Sequence, residues 1–136
     1  MDKIKTCKVD RFLYTNYLKR SEECLVAARH SFLLNQWNAC AISAIHSGIA
    51  ALDALCVYFL GLRTAGQDHK DAISLFNSIK QIEKEDINNI TSRMSKILKM
   101  KNIAEYEERL VYQKEAEHIL KNVERLFESA KDKLPK

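Results

Sequence analysis

An all-helical domain, folded as an antiparallel up-and-down bundle of four or five helices, is the fold class this sequence predicts. Three observations carry that expectation. Apolar residues recur at intervals of three and four along five segments of the chain. There are only three glycines, Gly48, Gly61 and Gly66, and one proline, Pro135, too few for the turns of an all-β protein. The hydrophobic fraction of 46% and charged fraction of 29% in 136 residues are those of a globular chain that can bury a core without disulfide or metal staples. One domain over residues 1–136 is expected, with its core over about 10–133.

The first helix is expected from about Asp10 to Leu34. Tyr14, Tyr17, Leu18, Leu25, Ala28 and Phe32 fall on one face, with Lys19, Arg20, Glu22 and Glu23 between them. Asp10 is the natural cap. Asn35-Gln36 then makes a short connection, which favours an antiparallel neighbour. The second helix spans about Trp37 to Leu62. Residues 42–60 are apolar and about long enough to cross a membrane. His46 and Asp53 lie within that stretch, however, and ionisable groups in mid-membrane are costly. The segment therefore reads as the most buried helix of a cytoplasmic domain with no membrane role. Gly48, costly inside a helix, suggests that another backbone comes close there. Gly61 and the run Thr64-Ala65-Gly66-Gln67 end the helix.

A short third helix follows over about His69–Ile79, capped by Asp68. The polar stretch Gln81–Asp86 reads as a connection. The fourth helix is placed at about Ile87–Ile103, with a break somewhere in Ala104–Val111. The last helix runs from about Tyr112 to Lys133, its core face being Ala116, Ile119, Leu120, Val123, Phe127 and Ala130.

Residues 1–29 and 93–136 are mildly basic and residues 30–92 mildly acidic, within a net charge of +4. A dedicated duplex-DNA binder has a denser basic stripe, so weak or local RNA contact is the most that charge alone allows. The four cysteines, Cys7, Cys24, Cys40 and Cys56, include no C-x-x-C pair. Reduced, mostly buried thiols are expected, with no signal peptide ahead of them.

The chemistry-bearing candidates are few. Lys99, Lys101, Asn102, Tyr106 and Arg109 crowd a helix end, where such groups can hold phosphate or a nucleotide edge. The plainer reading is a solvated helix terminus whose cations favour the dipole. His46 and Asp53 are seven residues apart and share a helix face. An unpaired buried carboxylate is expensive, so Asp53 should have a partner: Lys101, Asn102, Tyr106, another subunit, or a structural hydrogen bond inside the bundle. Glu115 and His118 form a single Glu-x-x-His. A di-iron bundle needs two of these and two further glutamates, so no metal and no cofactor are expected. Cys24 and His46 could approach across the first two helices, but no third member marks a thiol enzyme.

Three stretches, in order, resemble the HEPN family of small prokaryotic helical-bundle domains. They are Ser43-Ala-Ile-His46-Ser-Gly-Ile-Ala-Ala-Leu-Asp53-Ala-Leu, Asp68-His69-Lys70 opening the short helix, and Lys101-Asn-Ile-Ala-Glu-Tyr106 followed by Glu115-Ala116-Glu117 and a helix ending near Phe127. The likeness runs from about Tyr17 to Phe127. It implies a homodimer with the motif helices near the interface, and a small nucleotidyltransferase as partner in a toxin–antitoxin-like module. It also implies that Lys101, Asn102, Tyr106, Asp53, His46 and His69 are the residues to watch for RNA or nucleotide binding. Catalytic members of the family are metal-independent RNases that use an arginine and a histidine five positions later. Lys101 and Tyr106 stand at those places. Lysine lacks the guanidinium fork, and a phenol titrating near ~10 is a poor base at neutral pH. The expectation is a non-catalytic or weakly active binding module, with an RNase toxin of divergent site and a purely structural adaptor as the alternatives.

Overall fold

The computed structural model describes residues 4–66 and 68–136, so Gln67, the last residue of the run expected to end the second helix, lies outside the described residues. Helix α1 (Tyr14–Leu33) is antiparallel to α2 (Trp37–Leu60) across the two-residue turn the sequence suggested. Asn35 makes that turn with φ of 59°, a left-handed conformation its short amide side chain tolerates. Asp10 caps as expected, accepting from the Phe12 N–H at 3.0 Å. What it caps is a single 3-10 turn, Arg11–Leu13, so α1 proper starts four residues later than its periodicity implied.

Helix α2 is the core element. It packs against α1 and α6 (Gln113–Lys133), and also touches α3 (His69–Asn77), α4 (Lys84–Lys99) and α5 (Lys101–Glu105). It is long and apolar enough to cross a membrane, but most of that apolar stretch is buried inside the domain. It stops at Leu60 rather than Leu62, because Gly61 takes φ of 64° and donates its N–H to the Val57 carbonyl at 2.9 Å. Beyond it the chain does not simply turn. Strand β2 (Leu62–Thr64) pairs antiparallel with β1 (Thr6–Lys8), in the register Thr6 to Thr64, Cys7 to Arg63 and Lys8 to Leu62. Three-residue strands are too short to carry a period-two signal, so nothing in the sequence marked this clasp.

A close backbone approach exists, though one residue from where Gly48 suggested. The Ser21 hydroxyl donates to the Ser47 carbonyl and the Ser47 hydroxyl to the Ser21 carbonyl, both at 2.7 Å, with both side chains fully buried. This reciprocal pair draws α1 and α2 together. The room left by Gly48 is taken by side chains: an added Cβ would lie 3.2 Å from Met94 Sδ and 3.4 Å from Leu126 Cδ2.

Helix α4 begins at Lys84, three residues before the sequence expectation. Its first turn is polar and solvated, with Glu85 and Asp86 favouring the positive end of the dipole. Ile82 and Ile87, both buried, occupy the positions of a hydrophobic staple around that start. The expected fourth helix is broken at Met100, which separates α4 from the five-residue α5.

Candidate functional site

Helix α5 puts the motif residues at one corner of the bundle. The last turn of α5 closes on the Asn102 carbonyl, which accepts the N–H groups of Tyr106 and Glu107 at 2.9 Å. Asn38, in the first turn of α2, holds the same segment from beneath. Its amide donates to the Ala104 carbonyl at 3.2 Å, and its carbonyl oxygen accepts the Val111 N–H at 2.8 Å. Sequence reasoning missed Asn38, since one asparagine among alanines gives no periodic signal. Val111 is only 2% exposed, so Asn38→Ala leaves its N–H without an acceptor. We expect a loss of about 1–3 kcal/mol. Faster hydrogen exchange at the Val111 amide would report the loosening, and unchanged protection there would contradict the positioning role.

The centre of the corner is Lys101. Its amine lies 2.9 Å from Glu105 Oε2, 3.4 Å from the Tyr106 hydroxyl and 4.8 Å from the centre of the Tyr106 ring. These contacts, the Glu105 hydrogen bond first, raise its pKa above the ordinary lysine value. His46 reaches the same carboxylate from α2, its Nε2 3.9 Å from Glu105 Oε1. His69, half-buried at the start of α3, feels the corner too. Burial lowers its pKa, the charges of Lys101 and His46 lower it further, and Glu105 and Asp68 oppose the shift. The balance disfavours its protonated form. Tyr106 is 72% exposed, and Asn102 is exposed with its side chain free of hydrogen bonds to described residues. Glu105, the residue that ties the corner together, was not among the expected site residues. Its place four after Lys101 on a helix was the available signal.

Two expectations are corrected. Asp53 is half-buried, not fully buried, and its carboxylate forms no hydrogen bond or ion pair among the described residues. Lys101, Asn102 and Tyr106 are not its partners. Burial raises its pKa to about 6, against the opposing charges of Arg63 and Arg20. Arg109 is not free for phosphate. It grips Glu115 with two hydrogen bonds, 2.9 and 2.8 Å, and stacks 4.4 Å from the centre of the Tyr112 ring. Glu115 is held by that fork and by the Tyr112 N–H at 2.9 Å, while His118 faces Asn122. No cluster of metal-ligating side chains exists among the described residues. The cysteines are free thiols, and burial pushes Cys24 upward and Cys40 up to about 11, which disfavours the thiolate of each. Trp37, at the start of α2, is half-buried and packs edge-on against Phe32 at 5.2 Å.

No curated protein matches the chain. The family model of the HEPN domain matches residues 14–133, from the start of α1 to the end of α6, with the α2, α3 and α5 side chains of the corner inside that span. This all-helical chain belongs to the HEPN family.

Proposed function

We propose that the chain is a non-catalytic or weakly active HEPN module that works by binding through α5 and the loop after it. The observation that carries this is the closed Lys101–Glu105 pair. An amine already held at 2.9 Å by a carboxylate offers a phosphate no free cation, and no histidine follows at position 106 to move a proton. The exposed Tyr106, Leu110 and Tyr112 suit a macromolecular surface. A second copy of the chain, and a small nucleotidyltransferase of a toxin–antitoxin-like pair, are the partners that family membership suggests for it. RNA or a nucleotide bound in the shared groove of such a dimer, within the cytoplasm, is the ligand counterpart of the same reading.

One observation favours a second reading, an RNase with a divergent site. His69 lies close enough to Lys101 and Glu105 to feel their charges, burial disfavours its protonated form, and an unprotonated imidazole can accept the proton of a ribose 2′-hydroxyl. The two readings separate in one experiment. Single-stranded and structured RNA are incubated with the protein in chelator, for wild type, His69→Ala and Tyr106→Phe. Sedimentation at micromolar concentration is run beside it. The expected result is no cleavage above buffer and a mass near twice 15.7 kDa. Cleavage abolished by His69→Ala would put the RNase reading first, and a clean monomer across the concentration range would remove the shared groove.

A further inference from the structure

The far end of α2 lies about 30 Å along the helix from Asn38 and the α5 corner. There the last turn of α2, the 3-10 turn Arg11–Leu13 and the start of α1 border a cavity of about 640 Å³. Sites for small molecules commonly measure roughly 300–1,000 Å³. Four rings line this one, those of Phe12, Tyr14, Tyr58 and Phe59. Tyr14 and Tyr58 meet edge to face with centres 5.0 Å apart, and Tyr58 and Phe59 do the same at 4.9 Å. These three rings pack against the core, so they are fixed walls. Phe12 is different. It is 83% exposed, more than any other large apolar side chain among the described residues.

Arg11 is the only charged side chain of the lining. It lies over Gly61, where an added Cβ would stand 3.5 Å from its Nε and 3.6 Å from its Cγ. Gly61 therefore serves twice, as the left-handed cap of α2 and as the seat of the arginine. The C-terminal end of a helix favours a cation in that place. Arg11 forms no ion pair and no side-chain hydrogen bond among the described residues. Asp10, its neighbour in the chain, turns its carboxylate to the Phe12 N–H at 3.0 Å. Gln81 is engaged at both ends of its amide, with the Phe59 carbonyl at 3.4 Å and the Lys80 N–H at 3.2 Å. The donors left to meet a ligand are the Arg11 guanidinium and the tyrosine hydroxyls.

The turn that carries Arg11 and Phe12 is held at both sides. The Val9 N–H donates to the Gly61 carbonyl at 2.9 Å, which continues the β1–β2 pairing up to the end of α2. The Thr15 hydroxyl donates to the Phe12 carbonyl at 3.2 Å. The clasp of short strands thus has a use: it keeps the guanidinium and the exposed ring against the aromatic wall. A guanidinium presents parallel N–H groups that match the two oxygens of a carboxylate. Ring faces and edges match a flat aromatic ring better than a branched chain. One uncompensated positive charge calls for one negative charge.

We propose that this cavity binds a small aromatic molecule carrying a single carboxylate, with the ring against Phe12 and Tyr58 and the carboxylate on Arg11. The site shares no residue with the α5 corner, so it stands or falls independently of the reading of Lys101 and Tyr106.

The test uses three probes, 2-naphthoate, its uncharged amide 2-naphthamide, and cyclohexanecarboxylate. Each is titrated into wild type, Arg11→Met and Phe12→Ala, with amide chemical shifts as the readout. Arg11 and Phe12 are exposed, so both variants should fold, and circular dichroism checks that they do. Wild type should bind 2-naphthoate with a Kd of about 1 mM or tighter, as expected for a ligand of that size. The shifts should centre on residues 9–15 and 58–62. Arg11→Met should weaken 2-naphthoate by about tenfold, and the amide should bind wild type about tenfold more weakly than the acid. Phe12→Ala and the saturated ring should each cost about threefold or more. No binding of 2-naphthoate by wild type overturns the proposal, as do shifts centred elsewhere. Equal binding by Arg11→Met, or of the amide, removes the carboxylate from it, and equal binding of cyclohexanecarboxylate removes the aromatic ring. Sedimentation of Phe12→Ala covers the remaining occupant: a dimer of wild type that this variant alone dissolves would give the cavity to a second copy of the chain and overturn the small-molecule assignment.

Discussion

Ser47→Leu is expected to destabilise the domain by about 2–4 kcal/mol, a large share of what holds a small domain together. Ser47 has no exposed surface and sits where its hydroxyl and carbonyl both bond to Ser21 across the α1–α2 contact. Leucine removes one hydrogen bond, worth about 1 kcal/mol, and forces a branched side chain between two backbones held close by that pair. Ser47→Ala isolates the hydrogen bond, since it removes the hydroxyl and keeps the spacing, and should cost only about 1 kcal/mol. Urea unfolding of the two variants separates the terms. If leucine is no worse than alanine, the helices are not locked at Ser21 and Ser47.

That contact shows where sequence reading stops. The burial of α2 was legible because a long alanine-rich stretch interrupted by few polar residues suits the inside of a helical bundle. Which of its small residues receives a neighbouring backbone was not legible. Gly48 and Ser47 are adjacent and therefore about 100° apart around the helix, so one faces α4 and α6 while the other faces α1. Composition identifies the small residues, and only the packing of specific partners assigns them. The β1–β2 clasp was illegible for a different reason: its contacts are backbone hydrogen bonds between short segments far apart in sequence.

The site was legible in part. Lys101, Tyr106, His46 and His69 do share one corner, yet Glu105, which meets Lys101 and His46, was marked only by its place four residues after Lys101, and Asn38, which steadies α5, carries no distinctive local pattern. Arg109 went the other way. It stood out as a spare cation in the sequence, and the fold commits it to Glu115 six residues on, across a helix boundary that no glycine or proline announced.

Asp53→Asn is expected to raise stability at neutral pH and to remove a pH dependence. The carboxyl titrates near 3.8 when unfolded and at about 6 in the fold, because burial penalises its charge more than Arg63 and Arg20 favour it. A carboxyl whose pKa rises on folding binds its proton more tightly in the native state. Its contribution is therefore full below pH about 4 and is lost as pH rises through about 6. At pH 7 the ionised group leaves the domain about 2–3 kcal/mol less stable than a neutral amide of the same shape would. The amide variant should thus raise Tm at pH 7 by about 5–10 °C and change it little near pH 4. Arg63→Met should act in the opposite direction at neutral pH, since it removes the larger of the two opposing charges and drives the carboxyl pKa higher still. Melts of the three proteins across pH 4–8 decide the matter. Parallel wild-type and Asp53→Asn curves would mean that Asp53 finds enough water in the fold to ionise without penalty.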